Sequence, residues 1–365
     1  MRDILVQSID RLLADHCTPQ LLRDSENGGY PTGLWELIEE SGFALAAVSE
    51  DSGGAGLPWG DIYPLVQRMG LHALPLPLPE TLLAAWLLDT AGLALADGAV
   101  TVGDGICQGL RVALADNGQL RLSGTVAFVP WGRHCEHMVV DATDAEGHTW
   151  IALVARADVV VHHDLNIARE PRDTWVLEAV TPVACARWAD PHCPAPVRTY
   201  GAMVRSAQMA GAMERIVQLS VQYAGERVQF GKPISKFQAI QHQLACAGCE
   251  SAATGAGAAF AFGRVRSPGQ MLAIASAKLR ANEASGPVAS IGHGTHGAIG
   301  FTYEHHLHFL TRRLWSWRSE FGNALWWSTQ IGESVCTAAL PFWEQITDTG
   351  HEHLRLSPTL SLDRT

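Results

Sequence analysis

The stretch Arg215–Ala245, RIVQLSVQYAGERVQFGKPISKFQAIQHQLA, constrains the fold of this chain more than any other. It reads as the end of one amphipathic helix, a tight basic-aromatic corner and the start of a second helix. Before the corner, Met203, Ala207, Ala210, Val217, Val221 and Ala224 share one face at helical spacing, with Glu214 as its polar interruption. Gly231-Lys232-Pro233 cannot continue a helix, because proline restricts the residue before it and has no N–H to donate. Ser235 and Gln238 are spaced as an S-x-x-Q capping box, which predicts a fresh helix start. Arg227, Gln229 and Phe230 flank the junction, where unpaired N–H groups and a guanidinium can meet an anion.

The 365 residues suffice for two or three domains with substantial cores. With 47% hydrophobic and 17% charged residues the composition is that of a folded chain and not of a disordered one. A net charge of -11 argues against a nucleic-acid backbone as partner. The N-terminal MRDILVQSIDRLLADHC alternates charged and apolar residues, unlike a secretory signal. No run approaches the ~20 apolar residues of a membrane span, so a cytoplasmic protein is expected. The eight scattered cysteines suit buried thiols in a reducing compartment. Cys246-x-x-Cys249 lies in the small-residue run LACAGCESAATGAGAA without a second pair, so packing is expected there, not a metal.

Three regions follow, together an α+β class. Residues 1–96 read as an N-terminal helical domain, with Thr32 placed to cap LWELIEE, Asp61 opening another helix, and a leucine-rich LPETLLAAWLLDTAGLALA. Residues 97–185 turn β-rich in LRVALA, QLRLSG, TVAFVPW, HMVVDA, TWIALVA and DVVVHH. Asn117-Gly118 and Glu146-Gly147 split these runs as hairpin turns, predicting a small antiparallel barrel or sandwich. Residues 186–355 return to long helices, a predicted four-helix bundle, and 356–365 read as a loose tail.

Several tempting motifs fail on context. Gly292-His293-Gly294-Thr295-His296-Gly297 matches G-x-G-x-x-G, but a helix-like run precedes it where the dinucleotide motif needs a strand. His293, His296, His305, His306 and His308 lack the carboxylate and cysteine spacing of a zinc site. Trp315, Trp317, Trp326 and Trp327 fall near helical spacing and read as core or interface.

Arg227-Val228-Gln229-Phe230-Gly231, continuing through Ile234 to Phe237-Gln238, resembles the R-x-x-F-G-x-x-I-x-x-F/H-Q signature of acyl-CoA dehydrogenases. Two more strings agree in order with that family. One is the early Glu50-Asp51-Ser52-Gly53-Gly54-Ala55-Gly56 loop; the other is His296-Gly297-Ala298-Ile299-Gly300-Phe301-Thr302-Tyr303-Glu304. The resemblance spans residues 34 to about 345. It implies an N-terminal helical domain, a middle β domain and a C-terminal helical bundle, with FAD as cofactor and an acyl-CoA thioester as substrate. It further implies an electron-transfer flavoprotein as acceptor. By the same resemblance Arg227, Phe230, Gly231 and Gln238 reach the FAD of a neighbouring subunit, and Gly297 belongs to a loop against flavin. An arginine fork suits a pyrophosphate well.

The departures from the family shape the expectation as much as the matches. The T-E-P-x-x-G-S-D type loop that helps seat the flavin ring has no counterpart between Leu93 and Gly124. In the strand Gly124–Gly132, Phe128 takes the place of the flavin-facing tryptophan and Pro130 that of a threonine, and proline offers no N–H. Phe128 and Trp131 are expected to fill part of the ring's space. The reaction needs a carboxylate beside the substrate to remove the α-proton. Counting from the family's motifs places its two known base positions on Phe321 and Gly201. Glu320 and Glu304 remain as fallbacks, both expected to be exposed. The resemblance therefore implies a subunit that completes the FAD site of a related chain in a hetero-oligomer, as in members acting on steroid side-chain thioesters. The alternatives are a self-sufficient homo-oligomer using Glu320 or Glu304, and a cofactor-free scaffold.

Overall fold

A close helix crossing in this chain is built on glycine. Helix α4 (Trp59–Leu71) crosses α6 (Pro196–Glu226) at Gly70 and Gly211, where a Cβ on either would run into the backbone of Gln208 or Gln67. Glu214, the polar interruption on α6, accepts a 2.8 Å hydrogen bond from Gln67 in the same crossing. This computed structural model describes residues 2–115, 118–190, 193–267, 269–337, 341 and 343–344. Asn117 of the predicted Asn117-Gly118 turn and the tail 356–365 lie outside them.

Helices α1 (Arg2–His16), α2 (Pro19–Glu26), α3 (Thr32–Glu40), α4 and α5 (Leu78–Thr90) come first. Leucine-rich α5 is buried almost all round, as a helix apolar on every face must be. Thr32 does not cap α3: Pro31 holds the cap position and Thr32 is the first helical residue.

Eight strands then form one sheet: β1 (Val100–Gly103), β2 (Arg111–Leu114), β3 (Leu120–Pro130), β4 (His137–Thr143), β5 (Thr149–Ala155), β6 (Val160–His162), β7 (Arg172–Val180) and β8 (Ala184–Arg187). Their order is β6-β7-β3-β2-β4-β5-β8, with β1 on β4. The runs QLRLSG and TVAFVPW fuse into the single long β3. A purely antiparallel sheet is corrected in part, since β1 pairs parallel with β4 and β2 meets β4 in parallel at Arg111 and Thr143. The chain enters this sheet beside a strand it makes only later, and that connection allows parallel pairing.

Helices resume with α6, the two-residue strands β9 (Val228–Gln229) and β10 (Lys232–Pro233), and then α7 (Gln238–Phe262), α8 (Gln270–His296), α9 (Leu307–Trp317) and α10 (Ala324–Thr337). The long α6, α7 and α8 pack on one another, α9 lies against α6 and α8, and α10 against α8. Gly292 to His296 form the last turns of α8, so the G-x-G-x-x-G string is helical and not a phosphate loop. Cys246 and Cys249 are exposed, which corrects the expectation of packing: α7 turns its small-residue face outward and buries chiefly Ala247, Thr254, Ala258, Ala261 and Phe262. Trp317 and Trp327 are core residues, while Trp315 is half-exposed and Trp326 lies under the Arg198 guanidinium. No helix among the described residues is long and apolar enough to cross a membrane.

Candidate functional site

The corner after α6 is a hairpin with a two-residue loop. Gln229 pairs with Lys232 and Val228 with Pro233, leaving Phe230 and Gly231 at the tip with φ of +51° and +81°. Positive φ at both loop positions is the hairpin turn whose twist matches its strands. Glycine tolerates that conformation freely; phenylalanine does so at a cost of about 1–3 kcal/mol. Phe230 is nevertheless 92% exposed, its ring set edge-on to Phe237 with centroids 6.1 Å apart. Arg227 ends α6 with an exposed side chain, its backbone held by Tyr223 and Ile234.

The predicted capping box does not form. The hairpin is followed by a 3-10 turn over Ile234–Lys236, which absorbs Ser235 and makes Phe237 the cap residue of α7, without a side-chain cap. Gln238 is therefore the first helical residue, exposed and released from the role assigned to it. Gly297 stops α8 at φ +63° and ψ −143°, a conformation that glycine adopts most readily. His296, just before it, stacks on Tyr223 at 4.7 Å. Since Tyr223 lies one turn before Arg227, that stack brings the hairpin and the Gly297 loop to the same end of the helices. Burial pushes the His293, His296 and His305 imidazoles below the ordinary histidine range, His305 to about 4. None belongs to a cluster with metal-holding geometry; among the described residues that geometry occurs only at Asp144, Glu146 and His148.

On the inner side, Gly201 and Phe321 meet. A Cβ on Gly201 would lie 2.6 Å from Cδ1 of Phe321, so the ring rests directly on the α6 backbone. The two positions reached by counting thus converge on one spot, and neither supplies a carboxylate. Phe321 also has positive φ, +52°, followed by Gly322 at +100°.

Glu320 is next to that spot but is not the exposed charge it was expected to be. Its carboxylate accepts from Arg172 Nε at 2.8 Å and pairs with Arg205 Nη2 at 2.8 Å. Arg205 also grips Glu80 of α5 at 2.8 Å, and Arg172 grips Glu170 at 2.9 Å. Glu170 is held in turn by Arg313 at 3.1 Å and by the Trp317 indole N–H at 3.0 Å. Burial alone would raise the Glu320 carboxyl, but the Arg172 and Arg205 guanidiniums overrule it and hold it at about 2. Lys278, fully buried on α8, donates to Asn282 Oδ1 at 2.6 Å and to the carbonyls of Trp317 and Gly322. It ties down the loop that carries Glu320 and Phe321. A carboxylate so paired is a poor proton acceptor.

This ion lattice escaped the sequence reading. Its signal was there: Glu80 and Arg205 are each a lone charge inside an apolar helical run, and buried charges are rare unless paired. Glu304 sits in an exposed turn, as expected.

Part of the sheet's backbone is bonded from within by side chains. Asp141, fully buried, accepts from the N–H groups of Gly105 at 2.9 Å, Ile106 at 3.1 Å and Val197 at 3.1 Å. Gln108 bonds both to the Ala127 N–H, at 2.7 Å, and to its carbonyl, at 3.2 Å. Phe128 sits at φ +58° in a bulge of β3, 72% exposed, while Trp131 is buried. The bulge turns Phe128 outward as it breaks the alternation of the strand.

A helical–sheet–helical chain carrying this hairpin between two long helices has the acyl-CoA dehydrogenase fold. Residues 199–323 match the family model for the acyl-CoA dehydrogenase C-terminal domain. The chain is 31% identical over 316 residues to the acyl-CoA dehydrogenase IpdE2 of Mycobacterium tuberculosis, an alignment covering 86% of this chain and 90% of that protein. It belongs to the acyl-CoA dehydrogenase family, whose members generally bind FAD. Among solved structures it resembles the ChsE4-ChsE5 complex of Mycobacterium tuberculosis, with a TM-score of 0.84 and 22% identity over 93% of this chain and 98% of that one. It also resembles the steroid acyl-CoA dehydrogenase Tcur3481-Tcur3483, with a TM-score of 0.81 and 26% identity over 91% and 96%.

Proposed function

We propose that this chain is a subunit of a FAD-dependent acyl-CoA dehydrogenase that completes the flavin site of a related chain, which carries the base. One contrast carries the reading: the Arg227–Gly231 hairpin is strained, exposed and unused within the chain, whereas the inner site has Phe321 on Gly201 and its nearest carboxylate locked between two arginines. Bound FAD supplies a hydride acceptor to such an enzyme. This chain would hold the cofactor's pyrophosphate through Arg227, cover it with Phe230, leave backbone room at Gly231 and Gly297, and offer the Gln238 amide. The exposed Phe301 and Tyr303, on the loop after Gly297, would extend the contact with the partner.

Two of the similar solved proteins are named as pairs, ChsE4-ChsE5 and Tcur3481-Tcur3483, and the second is called a steroid enzyme. A bulky, steroid-derived acyl-CoA is accordingly the proposed substrate class, the partner a related dehydrogenase chain, and an electron-transfer flavoprotein the proposed acceptor. Self-sufficient catalysis requires a free carboxylate near Phe321, and Glu320 is not free.

The test is the flavin spectrum. Purified alone, the chain is expected to be colourless; co-expressed with a related chain of its organism, the complex is expected to be yellow with one FAD per two chains. About one FAD per chain, or a stable yellow homo-oligomer, would overturn the reading.

A further inference from the structure

We infer that Gln108 is an internal stand-in for the pyrimidine edge of a flavin, closing this chain's own sheet face to the cofactor; this rests on the completing-subunit reading above. The bulge between Val126 and Val129 takes Ala127 out of the ladder with β7, so its N–H and carbonyl need partners elsewhere. A flavin's pyrimidine edge sets carbonyl acceptors beside an N–H donor. A primary amide offers the same acceptor and donor side by side. Gln108 uses its amide in that way, with Oε1 accepting from the Ala127 N–H at 2.7 Å and Nε2 donating to the Ala127 carbonyl at 3.2 Å.

Being tethered at the end of the 3-10 turn Ile106–Gln108, this amide loses no translational freedom on pairing, an advantage over any diffusing ligand. The neighbouring donors are spent too. Gly105 and Ile106 give their N–H groups to buried Asp141, and Pro130 has none to give. Along the stretch that lacks the flavin-seating loop and in strand β3, the chain pairs the backbone of Gly105, Ile106 and Ala127 with its own side chains.

Amide hydrogen exchange of the full-length chain, resolved at Ala127, tests this. Gln108→Ala is expected to speed Ala127 exchange at least tenfold. Gln108→Glu keeps the acceptor and is expected to retain most of the protection. Excess FAD is expected to leave the wild-type rate unchanged and the protein colourless. If Gln108→Ala leaves the rate unchanged in colourless protein, Gln108 is not the stand-in, although the completing-subunit reading survives. If FAD slows Ala127 exchange in the wild type, the face is open and the inference fails. If the wild type takes up about one FAD per chain, both readings fall together.

Discussion

Phe230 and Phe321 hold the same left-handed backbone, φ +51° and +52°, in opposite surroundings. Phe230 stands 92% exposed at the tip of a hairpin, held by two short strand pairings and an edge contact. Phe321 lies against Gly201 with Arg205 5.7 Å from its ring centre, and the carbonyl of the next residue is fixed by Lys278. A strained residue persists only where its surroundings over-determine it. Inside, the ion lattice provides that constraint. Outside, the chain itself provides little, so the hairpin makes sense as a surface finished by something else. The inner region is fixed by paired charges, and the outer region leaves Arg227, Phe230 and Gln238 exposed.

The strongest way to break this comparison is to remove Arg205. Arg205→Ala leaves Glu80 and Glu320 without a shared cation, and breaking one side of a buried pair costs ~3–5 kcal/mol. Urea unfolding of the isolated chain should show that loss. A cost below ~1 kcal/mol would mean that the lattice does not hold the inner site.

Glu320→Gln is the next largest effect, and it depends on pH. The folded carboxyl titrates near 2 against an ordinary 4.5, so its contribution is present above 4.5 and is lost as pH falls toward 2. At neutral pH the variant should be less stable by on the order of 3 kcal/mol, and its acid limb between those values should be flatter than that of the wild type. In the assembled complex, turnover should stay within about tenfold, ~1.4 kcal/mol of barrier. Loss of α-proton exchange with flavin still bound would instead make Glu320 the base.

Arg227→Ala should act only on the outer region. A charged hydrogen bond to a pyrophosphate contributes ~1.5–3 kcal/mol, so FAD content of the complex should drop. The isolated chain should unfold within ~0.5 kcal/mol of wild type, because Arg227 is exposed. Full FAD occupancy in an intact complex would remove Arg227 from the site.

The outer region was legible in the sequence because its signals are local. Helical periodicity, the Gly-Lys-Pro break and the motif from Arg227 to Gln238 all lie within one stretch, and the helical–β–helical order follows from a change of period. The error there was also local: a two-residue hairpin and a 3-10 turn displaced Ser235 from the cap, since S-x-x-Q spacing does not say where the helix begins. The inner region showed itself by absences, at Gly201 and Phe321, and by the lone charges Glu80 and Arg205, which do not name their partners. What fills it comes from afar. Glu80 meets Arg205 across 125 positions, and Arg172 meets Glu320 across 148. No periodicity encodes such pairs. The exposure of Phe128 was hidden for a related reason, since a bulge inverts the facing of a strand without changing its composition.

Glu304 is where the smallest effect is expected, and it is the control for the rest. It lies in an exposed turn between Gly297 and α9. Glu304→Gln should therefore change stability by less than ~0.5 kcal/mol, as surface substitutions do. It leaves Arg227, Phe230 and the lattice in place, so FAD content and turnover of the complex should match wild type. Stopped-flow flavin reduction by an acyl-CoA is the sensitive readout, because a lost base slows reduction while the flavin stays bound. Normal reduction in the variant would confine the base to the partner or the inner region. A thousandfold slower reduction at full flavin content would place a catalytic carboxylate on the outer surface, and the division between the two regions would no longer hold.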